Sequence, residues 1–447
     1  MKHFTDQVAL TVIASINDAY FELLNERLTR INNEIALISR GEEAKALLSF
    51  SRVKGIHFCR FVILPAFRDD RGRQVPRQLV YSSNIDDSLD AHLKAIRDSG
   101  AAAGFAAVFS CCAGYNGAAT PEDAVDAFIK ANQKKVHTFY RAYRGLSVDI
   151  IESEQLLYQT IQAHLQSKSF REMPVPDIKK DIEAHIALAL PDRKDCEVIK
   201  LTSYSLIKTA LLLLVQLILP LALILVAAHF VHIFWYVLAV IIALIVAAVL
   251  YLRHLEQRDP EQNANDKNYD KIRHLVAMED KIVQNQLTHL AEVKTGSFRR
   301  LLQKFALWAL HNLAVYNFNK GKLGGIGTIH FARWSIIDGG RRLLFFSNFD
   351  GSWENYLGDF VDRAAFGLTL AWSSNKEFPR TKWLVTKGAA NEELFKSWAR
   401  KYQQPTQVWY SAYKDLTVSN IYRNHQIALG IGKTMNDDEI KAWLKLL

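Results

Sequence analysis

The sequence predicts an α+β protein with an internally repeated unit and a transmembrane helical hairpin. Three observations predict this. Residues 209–252 contain no Asp, Glu, Lys or Arg. Segments within 56–151 recur in the same order within 329–421. Each copy alternates short β-branched and aromatic runs with amphipathic stretches, the pattern of strands interleaved with helices.

The charge-free run is long enough for about two helical crossings of a bilayer core at about 20 apolar residues each. His229 and His232 mark a polar notch, which places the hairpin turn there and the two helices over Thr209–Ala228 and Ile233–Leu252. A soluble buried helix of this length would still show a polar face, and none is present. Lys200 and Lys208 precede the hairpin, Arg253, His254 and Arg258 follow it, and the turn HFVH has no Lys or Arg. The positive-inside rule then places both flanks, both termini and both copies in the cytoplasm, at the inner membrane.

Taken in order, residues 5–40 carry apolar residues every three or four positions (Val12, Ile16, Tyr20, Leu23, Leu24, Leu28, Ile31), which predicts a helix. GIHFCRFVILP and LVYSSNIDDS then read as strands, LDAHLKAIRDSG and TPEDAVDAFIKANQ as helices, and KVHTFYRAYRGLSVDII as a last strand. In the second copy IHFARWSII, LLFFSNFDGSWENYL, NEELFKSWARKYQ and VWYSAYKDLTVSNI stand in the same order. The matched pairs include His57/His330, Arg60/Arg333, Asn84/Asn348, Asp86/Asp350, Tyr140/Tyr410 and Tyr143/Tyr413. Between the copies, 269–293 reads as a helix and SFRRLLQKFALWALHNLAVYNF as an amphipathic helix that suits either the membrane interface or the protein core. The expected organisation is an N-terminal helical segment (1–50), a first unit (51–151), a helical connector (152–205), the hairpin (206–253), a linker with interfacial helices (254–328), a second unit (329–421) and a C-terminal helix (422–447).

The net charge is +9, but the basic residues are scattered. That suits an anionic membrane leaflet rather than nucleic acid. Cys59, Cys111, Cys112 and Cys196 form no CxxC pair and read as free thiols of a reducing compartment. LGIGKT (429–434) lacks the first glycine of a phosphate loop, and GKLGGIG precedes a strand instead of following one, so neither marks a nucleotide site. No HExxH or GxSxG motif occurs.

The candidates left are the duplicated polar residues. His57/His330 and Arg60/Arg333 lie three positions apart on a strand, which sends them to opposite faces unless a bulge intervenes. Asp86/Asp350 sit where a strand turns into a helix, a place for a capping carboxylate. Tyr140/Tyr410 and Tyr143/Tyr413 read as last-strand residues that pack with a hydrogen-bonded hydroxyl. His57, Arg60, Asn84, Asp86, Tyr140, His330, Asn348 and Tyr410 are therefore the candidate ligand-binding set.

The order of elements resembles the ferredoxin-like fold, and two such units in one chain resemble the dimeric α/β-barrel superfamily. The resemblance implies two sheets facing each other across a pseudo-twofold axis, with a ligand between them. Phe349-Asp350-Gly351-Ser352, with Arg333 nearby, is similar to the Asp-Gly fragment of dye-decolourising peroxidases, which share this plan with chlorite dismutases and bind haem. That similarity implies Asp350 and Arg333 as catalytic residues and His330, His311 or His425 as the haem ligand. The sequence thus supports a membrane-anchored, cytoplasm-facing module that binds a small or amphiphilic ligand or a protein partner, a second copy of the chain included. The alternative is a haem-dependent, peroxidase-like oxidoreductase.

Overall fold

The computed structural model describes residues 6–42, 46–69, 72–193, 206–260, 268–318 and 321–447. Its centre is a pair of four-stranded antiparallel sheets. The first sheet uses β1 (Gln7–Ser15), β2 (Ile56–Leu64) and β3 (Gln78–Asp86), with β1 and β2 flanking β3. The strand β4 (Thr138–Arg141) leaves this sheet and pairs with β6 (Ile329–Ile337) in the second. There β6 and β5 (Gln284–Glu292) flank β7 (Arg342–Asp350). Reciprocally, β8 (Val408–Ser411) crosses back to pair with β2. The strand orders are therefore β1-β3-β2-β8 and β4-β6-β7-β5, each sheet taking its last strand from the other half of the chain.

The sheets face each other. Ile13, Val62, Leu64 and Val80 of the first meet Leu290, Ile337, Leu344 and Phe346 of the second in one buried cluster. Alternation along each strand sends the other residues to the outer faces, which helices cover. On the first sheet these are α1 (Phe21–Ser39), α2 (Leu89–Asp98), α3 (Ala102–Phe109) and α4 (Pro121–Asn132), packed through Leu28, Ile96, Phe105 and Phe128 onto Cys59, Phe61 and Tyr81. A fifth helix, α5 (Val148–Ser167), follows β4, and α6 (Val175–Ala189) packs against it. Two long apolar helices come next, α7 (Leu206–Phe230) and α8 (Phe234–Arg258). Both are long and apolar enough to cross a membrane, and their candidate spans are unburied. After α9 (Tyr269–Val276), the second sheet is covered by α10 (Ser297–Tyr316), α11 (Trp353–Trp372) and α12 (Glu392–Tyr402), with Trp398 and Trp372 in its core. Finally α13 (Val418–Gly430) and α14 (Asp437–Leu444) join α5 and α6 in a helical layer around Leu157, Ile182, Ile427 and Trp443. Asn436 and Glu439 form a capping box at the start of α14.

Several elements differ from the sequence reading. Residues 5–40 are a strand followed by a helix, and β5 lies within 269–293, which reads as helical. Both faces of β1 and β5 are buried, so the period-two signal is hidden, and Val12 and Ile16 happen to continue the helical spacing of α1. The run GFAAVFSCCAGY (104–115), by its sequence a short apolar piece, carries the last six residues of α3 and then turns. Tyr143 and Tyr413 lie in the turns after β4 and β8, beyond the strands.

The hairpin is fastened to the second half. Glu256 on α8 is fully buried; its carboxylate accepts from Thr381 Oγ1 (2.9 Å), Trp383 N (2.9 Å) and Leu384 N (2.7 Å) and pairs with Arg253 (3.0 Å). Asp259 follows with Lys294 and Arg299, both at 2.7 Å. A buried carboxylate held by several donors has one low-energy position, so α8 is a strut rather than a tether.

Candidate functional site

A β-bulge interrupts the β2–β3 register between Ile56 and Phe58, and a matching one interrupts β6–β7 between Ile329 and Phe331. The bulge is what puts both the histidine and the arginine of each strand on the side facing the other sheet. His57 Nδ1 bonds Tyr413 OH at 2.7 Å, and its Nε2 bonds Asp86 Oδ1 at 2.8 Å. His330 Nδ1 bonds Tyr143 OH at 2.8 Å, and its Nε2 bonds Asp350 Oδ1 at 2.6 Å. The two tyrosine hydroxyls meet at 2.8 Å. Asp86, His57, Tyr413, Tyr143, His330 and Asp350 are thus one continuous chain across the sheet interface. Burial drives both tyrosines well above their usual range, so both stay phenols.

Asp86 and Asp350 also cap helices, though not the ones expected. Their second oxygens accept from Val148 N (2.9 Å) and Val418 N (2.8 Å), at the starts of α5 and α13. The helices that directly follow β3 and β7 are capped by Ser88 and Ser352.

Next to this chain the arginines cross between sheets. Arg60 donates to Gln286 Oε1 (3.0 Å), Leu287 O (3.0 Å), Thr288 Oγ1, Ser347 O (3.0 Å) and Asn348 Oδ1. Arg333 donates to Leu10 O (2.6 Å), Thr11 Oγ1 and Asn84 Oδ1 (2.6 Å). Neither meets a carboxylate. Burial, and for Arg333 also the charge of Arg60, lowers each guanidinium to about 9. The ring of Phe346 lies between them, its centroid 5.1 Å from Arg60 and 5.8 Å from Arg333, so its π-cloud offsets part of the charge. The space between the sheets is filled by these side chains, whereas the superfamily resemblance implies a ligand there.

The haem-ligand candidates do not converge. Both nitrogens of His330 are engaged, and it is fully buried. Asp350 has both oxygens occupied, and Arg333 is held by β1 and Asn84. His425 pairs with Glu154 at 2.9 Å, and His311 sits exposed on α10. These residues do not fit a haem. Among the described residues, no group of three His, Cys, Asp or Glu is placed to hold a metal ion.

Of the other sequence candidates, Tyr140 is buried and its hydroxyl has no partner among the described residues, so the hydrogen-bonded hydroxyl expected of it belongs to Tyr143. Tyr410 lies on a groove of about 900 Å³ beside β8. Ile35, Leu48, Phe50, Met278, Ile282 and Trp409 give this groove an apolar wall. Gln155, Gln284, Ser411 and Glu152 add polar points. Phe50 and Tyr410 pack with ring centroids 5.6 Å apart. Tyr413 reaches the groove floor, so the buried chain touches the groove at one residue. Burial, with Asp149 adding to it, raises the Glu152 carboxyl.

Sequence reasoning missed Gln7 and Gln284, whose amides latch the turns after β4 and β8 through Tyr143 O and Tyr413 O. QVALT and QNQLT carry the matching signal. It missed Glu152 because nothing in its local pattern separates it from a solvated helix residue. Comparison of the chain with known protein families, curated proteins and solved structures finds no match.

Proposed function

We propose that this protein is a membrane-anchored binding module of two ferredoxin-like units, held on the cytoplasmic face of the inner membrane, which takes a small amphiphilic ligand in the groove beside β8. One observation carries the reading. A groove of about 900 Å³, lined by apolar and aromatic side chains with polar and charged ones among them, opens beside Tyr410, while the side chains between the sheets are buried against one another. Sites for small molecules combine such a wall with a few placed polar groups. The common strand order, the matching bulges and the reciprocal exchange of β4 and β8 support two related units. Lys208, Arg253 and Arg258 at the hairpin ends support the cytoplasmic side.

The test is photo-crosslinking of the full chain in nanodiscs with a diazirine-bearing dodecanol, followed by peptide mapping. Adducts on the segments containing Phe50, Met278 and Tyr410 are the expected result. Adducts confined to α7 and α8 would remove the groove from consideration.

A further inference from the structure

A second groove, of about 950 Å³, lies between the start of α10, the β6–β7 turn and the end of β1. Its charged lining is Lys134, Arg300 and Lys304, with His137 and Asp338. Among the described residues Lys134 and Lys304 form no ion pair, and Arg300 bonds only Ser297 Oγ at 3.3 Å. Asp338 does not neutralise them: its carboxylate is held by Arg342 and by Gln78 Nε2. His137 Nδ1 accepts from Ile336 N at 3.2 Å, which leaves Nε2–H as a donor. Burial lowers its pKa, the nearby Lys135 and Lys304 lower it further, and a hydrogen bond to the Lys135 backbone partly opposes them. Gly340 keeps the turn low enough for Arg300 to lie along it; a Cβ there would sit 3.3 Å from Arg300 Cδ. The groove is a cluster of unneutralised cations with neutral donors, and its complement is a phosphate.

Its position selects the source of that phosphate. The first turns of α10 touch the hairpin at the point where its apolar run ends. Phe298 packs on Tyr251 with centroids 5.2 Å apart, Leu302 shares a cluster with Leu252, and Arg299 pairs with Asp259. Leu301, 63 % exposed, lines the groove between these contacts. If α8 spans the bilayer, the groove opens at headgroup depth. We infer that Lys134, Arg300, Lys304 and His137 bind the phosphate headgroup of an anionic membrane lipid, with Leu301 against its acyl chain. The inference rests on the membrane reading of the hairpin.

The experiment is native mass spectrometry of the full chain in non-ionic detergent, with phosphatidic acid or phosphatidylcholine added. Phosphatidic acid adducts should dominate. The triple variant Lys134→Ala, Arg300→Ala, Lys304→Ala should lose them by about tenfold, while Lys180→Ala and Lys441→Ala together leave them unchanged. Equal adducts on the triple variant and the wild type would overturn the site. Inorganic phosphate that displaces the lipid at equal concentration would overturn the lipid as its source. Wild-type protein recovered from cells without detergent would defeat the hairpin reading; membrane-extracted protein without groove-dependent adducts would defeat only the headgroup site.

Discussion

The two halves of the molecule place different residues at corresponding positions, and the differences decide where the surface is open and where it is closed. Beside β8, Glu152 on α5 leaves a groove open. In the corresponding place beside β4, Tyr422 on α13 fills the space and its hydroxyl donates to Ala142 O. A Cβ on Gly321 would lie 2.3 Å from the Tyr422 ring, so the loop closes tightly over it. One half has a complete core at this point and the other a ligand-sized opening. A second contrast concerns α1 and α10. The first serves only to cover its sheet, with α2, α3 and α4 beside it, whereas the second is also clamped to the hairpin through Phe298 and Arg299.

The contrast can be broken first at the arginines, where the largest effect is expected. Arg60 serves five acceptors of the opposite sheet and Arg333 three. Arg60→Ala should destabilise the protein by about 4 kcal/mol, through stranded acceptors and a cavity, and Arg333→Ala by about 3 kcal/mol. Denaturant unfolding in detergent measures both. Equal and small effects would mean that these side chains do not staple the sheets.

The acid response should also differ between the halves. His289 of β5 stands where β1 has Val12, and burial lowers its pKa to about 3. The unfolded chain takes this proton near pH 6.5, so between those values the unfolded state holds more protons and stability falls as pH falls. The limiting slope is about 1.4 kcal/mol per pH unit for one such group. His92, lowered by burial to about 4, adds a second contribution, at the position where the other half has Tyr356. His289→Val should flatten the stability profile between pH 6.5 and 4 without abolishing it. Unfolding measured at several pH values shows whether it does.

A third substitution sharpens the comparison directly. Glu152→Tyr copies Tyr422 into the open half, where its hydroxyl reaches toward Ala412 O. The crosslinking yield at Phe50 and Tyr410 should drop by about tenfold while stability holds or rises. The smallest effect is expected from Tyr413→Phe. It removes one hydroxyl from the six-group chain and should cost about 1–2 kcal/mol, since His57 and Tyr143 each lose a partner.

Much of the architecture was legible. The β-branched and aromatic runs at 56–64 and 329–337 are strands, and the charge-free stretch contains two helices with a turn near His229–His232. The polar pairs were legible as pairs, because matched positions in matched segments stand out without structural knowledge. Their roles were not. The bulges at His57 and His330 reverse the facing that plain alternation predicts. Asp86 and Asp350 cap helices 62 and 68 residues away along the chain. Local patterning carries no information about such contacts. The exchange of β4 and β8 was hidden for the same reason, since four-residue strands choose partners by tertiary position. Glu152 and the basic groove arise only when distant segments meet.

Binding of a ligand in one groove and of a lipid in the other both require one body lying on one side of a bilayer, entered by a hairpin that crosses twice. Cysteines introduced one at a time at Glu122, Glu393 and Val231, in a Cys196→Ser background that keeps only the buried Cys59, Cys111 and Cys112, test this with a membrane-impermeant maleimide applied to intact cells and to inverted vesicles. The account predicts that Val231→Cys labels only in intact cells, and that Glu122→Cys and Glu393→Cys label only in inverted vesicles. Labelling of Glu122→Cys and Glu393→Cys from opposite sides, or of all three from the same side, would contradict it.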